Sequence, residues 1–211
     1  MQTSNLYSYL LLAFVTIAWC ALHSAMITPA FTRFLEKLTG RYYRYYRLLF
    51  NLVAILTLIP VILYHHSLIT TPLFDWNGHW RILQVIFIAL GILLFLLGAK
   101  KYDAKRFIGI TQLKEKNTRQ GLTTELDTSG VHALVRHPWY TGLILLLWAR
   151  PVDTSTIIIN TILTLYLIIG SLLEERKLIM EFGNKYREYQ HSVSMLFPLK
   201  WIHSKLKRDV H

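Results

Sequence analysis

The chain has 211 residues, 53% of them hydrophobic, with one cysteine and a formal net charge of +11. That length suits a single domain, and a lone cysteine excludes an intrachain disulfide and a cysteine metal cluster. The basic residues lie in several separate segments rather than on one soluble module, which argues against nucleic acid as a partner.

In chain order, the first element expected is a helix over residues 6–27, a run of 22 without an acidic or basic side chain. About 20 apolar residues cross the hydrocarbon core of a bilayer, so this run predicts a membrane span. It is longer than a signal-peptide core and no Lys or Arg precedes it, so a retained span is expected rather than a cleaved leader. Cys20 sits within it as a small core residue. The basic segment 28–47 follows and ends in Arg41-Tyr42-Tyr43-Arg44-Tyr45-Tyr46-Arg47. Tyrosines set among arginines at a helix entrance read as an interfacial anchor, with substrate contact as the other reading.

Residues 48–64 and 82–99 are further uncharged runs, of 17 and 18 residues. Between them, 67–80 carries Pro72, Asp75, Asn77-Gly78 and His79, with His65 and His66 close by. No regular ligand spacing for zinc is present there, and no metal is expected. Residues 100–137 are too polar for lipid and too long for a mere turn, and their mix of apolar and turn-forming residues favours an ordered, functional loop. Residues 139–149 are apolar but rise only about 16 Å. They reach useful depth by starting near Ala133 or by dipping in as half of a hairpin. Residues 157–173 form the last span, closed by Glu174-Glu175-Arg176-Lys177. Leu178, Phe182, Tyr186 and Tyr189 then make the stripe of an amphipathic helix along the inner interface, with Gly183 as a kink or a point of close approach.

The fold class expected is an all-α integral membrane protein with about five transmembrane helices and a C-terminal interfacial amphipathic helix. It forms one domain, with an N-terminal three-helix part over 1–99 and a core over 100–198. Lys and Arg number five in 28–47, eight in 100–137 and eight in 174–211, against one each in 65–81 and 150–156 and none in 1–5. This alternation orients the N-terminus outward and the C-terminus towards the cytoplasm.

Topology brings two polar groups together. Antiparallel packing of 137–150 on 157–173 sets Glu174-Glu175 level with Arg136, His137 and Tyr140. Pro138 suits the first helical turn, and the free N–H groups there favour an anion and a neutral His137. The same residues also read as a capped helix end with an interfacial ion pair, and the residues alone leave both readings open.

Thr128-Ser129-Gly130-Val131, then Arg136-His137-Pro138-Trp139-Tyr140-Thr141-Gly142, Glu174-Glu175, the stretch from Phe182-Gly183 to Tyr189 and Leu196-Phe197-Pro198 are spaced over some 70 residues. In that order they resemble the core of the isoprenylcysteine carboxyl methyltransferase superfamily. Leu22-His23-Ser24, Trp80-Arg81, Asp103, Phe107-Ile108-Gly109-Ile110-Thr111-Gln112-Leu113 and Trp148-Ala149-Arg150-Pro151 resemble its methanethiol S-methyltransferase branch.

The resemblance implies S-adenosylmethionine as methyl donor and residues 100–198 as its binding core. Carried over by position, Gln112, Thr124, Glu125, Leu126, Asp127, His132, His137, Pro138, Trp139, Tyr140 and Glu174 would line the cofactor. Gly170 stands where the isoprenylcysteine branch has a substrate-holding arginine, which favours a small thiol acceptor over a prenylcysteine carboxylate. The partners implied are a small-molecule or membrane-partitioned methyl acceptor and the lipid bilayer.

Transfer from a sulfonium to a thiolate loses charge towards the transition state, so a dry site favours it. A carboxylate beside the sulfonium would stabilise the reactants more, so Glu174 is expected to hold the ammonium or the ribose hydroxyls. No base is identified; His132 and Tyr140 are the candidates. The other readings are a lipid-amine methyltransferase, a nicotinamide-dependent membrane reductase and a non-catalytic membrane partner.

Overall fold

The computed structural model describes residues 2–68, 70–101, 108–110, 113 and 126–208. They form α1 (Gln2–Met26), α2 (Pro29–Thr39), a 3-10 turn (Gly40–Tyr45), α3 (Tyr46–Ser67), α4 (Trp80–Lys101), a second 3-10 turn (Gly130–Ala133), α5 (Pro138–Trp148), α6 (Thr154–Phe182), α7 (Asn184–Ser192) and α8 (Leu199–Arg208). Among the described residues, four segments are long and apolar enough to cross a membrane: Leu6–Met26, Pro29–Ser67, Trp80–Gly98 and Thr154–Phe182. Phe14, Ile55, Leu63 and Ile82 are exposed on these helices, as side chains that meet lipid tails would be.

α5 has only 11 residues and begins at Pro138 rather than near Ala133. The residue before a proline is pushed out of the helical region, and His137 there has φ −122° and ψ 69°. The basic segment after α1 is likewise more ordered than a loop. Thr28 caps α2, its hydroxyl oxygen accepting the Phe31 N–H at 3.3 Å, and Pro29 takes the first helical position.

The chain divides into two compact units, each built from non-contiguous stretches. The first comprises Met1–Asp75, Tyr102–Gly121 and Pro151–Leu163. Its core is Leu12 of α1, Val61 of α3 and Ile159 of α6, flanked by Val15, Trp19, Leu58 and Tyr64. Side-chain donors stitch α1 to α3, since Trp19 Nε1 donates to the Ala54 carbonyl at 3.1 Å and Tyr64 Oη to that of Ser8 at 3.2 Å.

At the start of α6 the buried Asp153 gathers donors from two places. Its Oδ1 accepts the Thr156 N–H at 2.8 Å and the Ser155 hydroxyl at 2.9 Å, while Oδ2 accepts the Thr70 N–H at 2.7 Å. It therefore caps α6 and fastens the segment after α3 to that cap. Phe74 and Val152 exchange backbone hydrogen bonds beside it. His65, the buried member of the two adjacent histidines, faces Thr156 Oγ1 at 3.4 Å.

The second unit comprises Trp76–Lys101, Leu122–Arg150 and Thr164–His211. Its main packing is α4 against α5, and this crossing is close because glycine meets glycine. A Cβ on Gly142 would lie 2.8 Å from the Gly91 carbonyl oxygen, and one on Gly91 3.0 Å from that of Gly142. One turn further along, Phe95 stacks on Trp139 at 5.4 Å, and a Cβ on Gly98 would fall inside the Trp139 indole. Gln84 Nε2 and Trp76 Nε1 donate to the Ala149 and Arg150 carbonyls, satisfying the end of α5.

α6 does not stop at Leu173. It runs unbroken to Phe182, and the break comes at Gly183, whose φ of 59° lies in the left-handed region. The stripe of Leu178, Phe182, Tyr186 and Tyr189 is thereby shared between two helices. Tyr186 and Tyr189 are buried within the protein, edge-on at 5.8 Å.

Burial pushes the Asp153 carboxyl up, but the hydrogen bonds from Thr70, Thr156 and Ser155 more than offset it and hold it at about 2. A depressed carboxyl stabilises the fold above its unfolded pKa and loses that contribution as pH falls through the folded one. Asp153→Ala should therefore cost about 2 kcal/mol near neutral pH. Thermal unfolding in detergent should show the gap from wild type narrowing as the pH is lowered from about 4 towards 2.

Candidate functional site

The site is built on one buried cation. Arg136 immediately precedes His137, the N-cap residue of α5, and its side chain is 8% exposed. Its Nε donates to Glu175 Oε1 at 2.6 Å, its Nη1 to the Gln190 carbonyl at 3.2 Å and also to the Val193 carbonyl. One guanidinium thus joins the start of α5, the middle of α6 and the last carbonyls of α7, where the helix dipole favours a positive charge. Lys200 Nζ reinforces that end from α8, donating to the Gln190 and His191 carbonyls at 2.7 and 3.0 Å.

The backbone does the remaining positioning. Arg136 and His137 donate their N–H groups to the Ser194 and Met195 carbonyls at 2.9 and 3.1 Å, a short parallel pairing of extended segments. Thr141 Oγ1, buried, donates to the Leu196 carbonyl at 2.7 Å, and Tyr189 Oη to that of His132 at 2.6 Å. Burial, and then the Glu175 carboxylate, push the Tyr186 phenol up, so it stays neutral here.

The two glutamates at the head of this arrangement differ. Glu175 is 7% exposed and fully engaged, with Arg136 and His137 Nε2 (3.2 Å) on Oε1 and Gln190 Nε2 (2.7 Å) on Oε2. Glu174 is 37% exposed; its Oε2 accepts the Tyr140 hydroxyl at 3.0 Å and lies 3.7 Å from His137 Nδ1. The His137 and Tyr140 rings stack at 5.5 Å. The cluster can present one accessible carboxylate, oriented by a phenol and an imidazole, beside the N-terminus of α5.

Of the residues expected to line a cofactor, His137, Tyr140 and Glu174 come together here. Pro138 is buried at the first position of α5, and Trp139 lies against Phe95. His132 is half-buried in the second 3-10 turn, tied to α7 by its carbonyl. Leu126 and Asp127 stand at the head of that segment, with Asp127 Oδ1 accepting the Ser129 N–H and hydroxyl at 2.9 and 2.7 Å. Gln112, Thr124 and Glu125 lie outside the described residues, as do Asp103, Phe107 and Thr111. Gln190, Ser194 and Met195 join the site unannounced by the sequence, while Thr141 and Leu196 stood in the motifs without an assigned role. Among the described residues no group of three potential ligands gathers for a metal.

Fold and site together define an all-helical, membrane-spanning protein with a buried Arg-Glu-His cluster at the mouth of a short helix. The family described as NnrU protein matches residues 11–196, and the chain belongs to that family. Among curated proteins, it is 45% identical to methanethiol S-methyltransferase 1 of Bradyrhizobium diazoefficiens over 81 residues, 38% of this chain and 28% of the relative. It is 42% identical to the methanethiol S-methyltransferase of Pseudomonas deceptionensis over 69 residues, 32% of this chain and 26% of the relative. Methanethiol S-methyltransferase 2 of Bradyrhizobium diazoefficiens is 30% identical over 186 residues, 83% of this chain and 68% of the relative. The chain thus spans less than a third of the first two relatives. No solved structure matches it.

Removing one partner of a buried ion pair strands the other charge, at a cost of roughly 3–5 kcal/mol. Arg136→Ala should lower unfolding stability by about that amount. Arg136→Met combined with Glu175→Gln should recover a large part of the loss, as thermal unfolding of the purified proteins in detergent would show.

Proposed function

We propose that this protein is a membrane-embedded, S-adenosylmethionine-dependent methyltransferase acting on a small thiol such as methanethiol. The observation that carries the reading is the unequal pair of glutamates. Glu175 is committed to Arg136, His137 and Gln190, whereas Glu174 keeps acceptor capacity at an accessible position. The donor set fits the cofactor. An ammonium and ribose hydroxyls match the Glu174 carboxylate, and the positive end of the α5 dipole favours a carboxylate beside it. The names of the relatives supply the reaction class and the thiol.

In this reading Glu174 holds the ammonium or ribose hydroxyls, and Tyr140 and His137 fix its orientation. Pro138 and Trp139 set the start of α5 beside it, and residues 100–198 form the binding core, including Gln112, Thr124, Glu125, Leu126, Asp127 and His132. The bound donor supplies a methyl group activated on positively charged sulfur. The protein's own contribution is alignment and exclusion of water. A sulfonium and a thiolate lose charge as they react, so apolar helices around them favour the transition state over hydrated reactants. Gly170, one turn before Glu174, would meet nothing within 4 Å if it bore a Cβ, which leaves room for a small acceptor and places no cation to hold a carboxylate. The distribution of Lys and Arg supports a site on the cytoplasmic side, with the N-terminus outside.

Thermal unfolding with S-adenosylhomocysteine tests the reading. At about 100 times its dissociation constant the ligand should stabilise the wild type by roughly 2.7 kcal/mol. Glu174→Ala should lose that gain while unfolding near the wild-type temperature without ligand. Stabilisation by NADPH in place of S-adenosylhomocysteine would overturn the proposal in favour of a reductase, and a stable protein that responds to neither would make it a non-catalytic partner.

A further inference from the structure

The arginine–tyrosine run between α2 and α3 borders a cavity of about 190 Å³ in the first unit, lined by Ile27, Thr32, Tyr43, Arg44, Tyr46, Arg47 and Phe50. Its composition is divided. Ile27, Phe50 and the ring of Tyr46 give it an apolar side, and the Tyr46 hydroxyl is spent on the Met26 carbonyl. Tyr43 stacks on Tyr46 at 5.5 Å and 6° and braces that wall. Arg44 and Arg47 supply its positive charge. Arg44 rests its guanidinium over the Tyr45 ring at 4.9 Å and gives one N–H to the Tyr45 hydroxyl at 3.0 Å. Five N–H donors in a planar fork leave enough for an oxyanion. Arg41, by contrast, lies over Tyr42 and donates to its hydroxyl, and does not line the cavity.

The approach to the cavity is that of a membrane surface. On α2, which contributes Thr32, the residues Phe31, Phe34, Leu35 and Leu38 share one face, with Arg33, Glu36 and Lys37 opposite. Phe34 and Leu38 are 60% and 69% exposed, and no α2 residue is buried in the protein. Eleven residues cannot span a bilayer, so such a helix lies in the headgroup layer with its apolar face towards the acyl chains. The segment 28–47 holds five Lys or Arg residues and one acidic residue, Glu36, giving it a net charge of +4. A cavity at this depth, with arginine donors on one side and an apolar wall on the other, matches an amphiphile whose head is an anion.

We propose that this cavity is a binding site for the phosphodiester headgroup of an anionic membrane lipid, held by Arg44 and Arg47 with its glycerol end against Ile27 and Phe50. It is a site separate from the Glu174 cluster and does not rest on the methyltransferase reading. The shared chemistry is a phosphate oxyanion, so free phosphate is the alternative source.

The test uses the full chain in a neutral detergent micelle, with bound lipid counted by native mass spectrometry during titration with phosphatidylglycerol, phosphatidylcholine or inorganic phosphate. Phosphatidylglycerol should bind in preference to phosphatidylcholine. Losing charge-assisted hydrogen bonds should weaken it by about tenfold in Arg44→Gln and by more in the double variant with Arg47→Gln. Arg41→Gln, an exposed charge outside the cavity, should leave it within about twofold. All three positions are exposed, so the variants should fold, and unfolding temperatures near that of wild type would verify it. Equal binding of the two lipids, an equal loss in Arg41→Gln, or saturation by inorganic phosphate alone at the concentration where the lipid binds would each overturn the proposal.

Discussion

Everything at the candidate site of this protein hangs on the burial of Arg136 against Glu175. A guanidinium withdrawn from water must find acceptors for its donors, and here they come from three directions. Glu175 lies in α6, while Gln190 and Val193 are at the end of α7. Once those are fixed, the neighbours follow. His137 next to Arg136 is delivered to the glutamates, Tyr140 one turn on meets Glu174, and the extended 194–196 segment is drawn alongside 135–137. The geometry of the accessible carboxylate is thus inherited from a contact that is itself buried.

That arrangement separates two tasks which adjacent glutamates would otherwise share. Successive helical residues point about 100° apart, so Glu175 can turn into the protein while Glu174 turns towards its surface. The inward residue is paired with Arg136 and held by His137 and Gln190. The outward one stays accessible and is oriented by a phenol hydroxyl that donates to it without bringing a full positive charge.

Much of this was legible in the sequence. Uncharged runs of spanning length located the long helices, and the short turn between 150 and 157 was enough to bring Arg136, His137 and Tyr140 level with Glu174 and Glu175. The end of α6 was not legible in the same way, because charge at 174–177 marks where a helix leaves the hydrocarbon and not where its hydrogen bonding stops. Gly183 does that, through a backbone angle that a side-chain pattern does not encode. Gln190 was hidden because a glutamine in a polar helix carries no signature until its partner is known. The pairing of 194–196 was hidden because main-chain hydrogen bonds leave no mark on composition. The order within 28–47, a capped amphipathic helix and a 3-10 turn, was obscured by a run of tyrosine and arginine that reads first as an anchor.

The crossing of α4 and α5 has a consequence for how this protein can change over evolutionary time. Gly91 and Gly142 each face the other's main-chain carbonyl, so part of the obstacle to a side chain at either position is backbone, although a Cβ on Gly91 would also lie 2.8 Å from the Leu146 side chain. Shrinking Leu146 would relieve only part of it, because the carbonyls stay, and no exchange of residues between the two positions can compensate. The pair should behave as a single inherited character, kept or lost together, and lineages that lost it would have to move the two helices apart and redraw the mouth of the site.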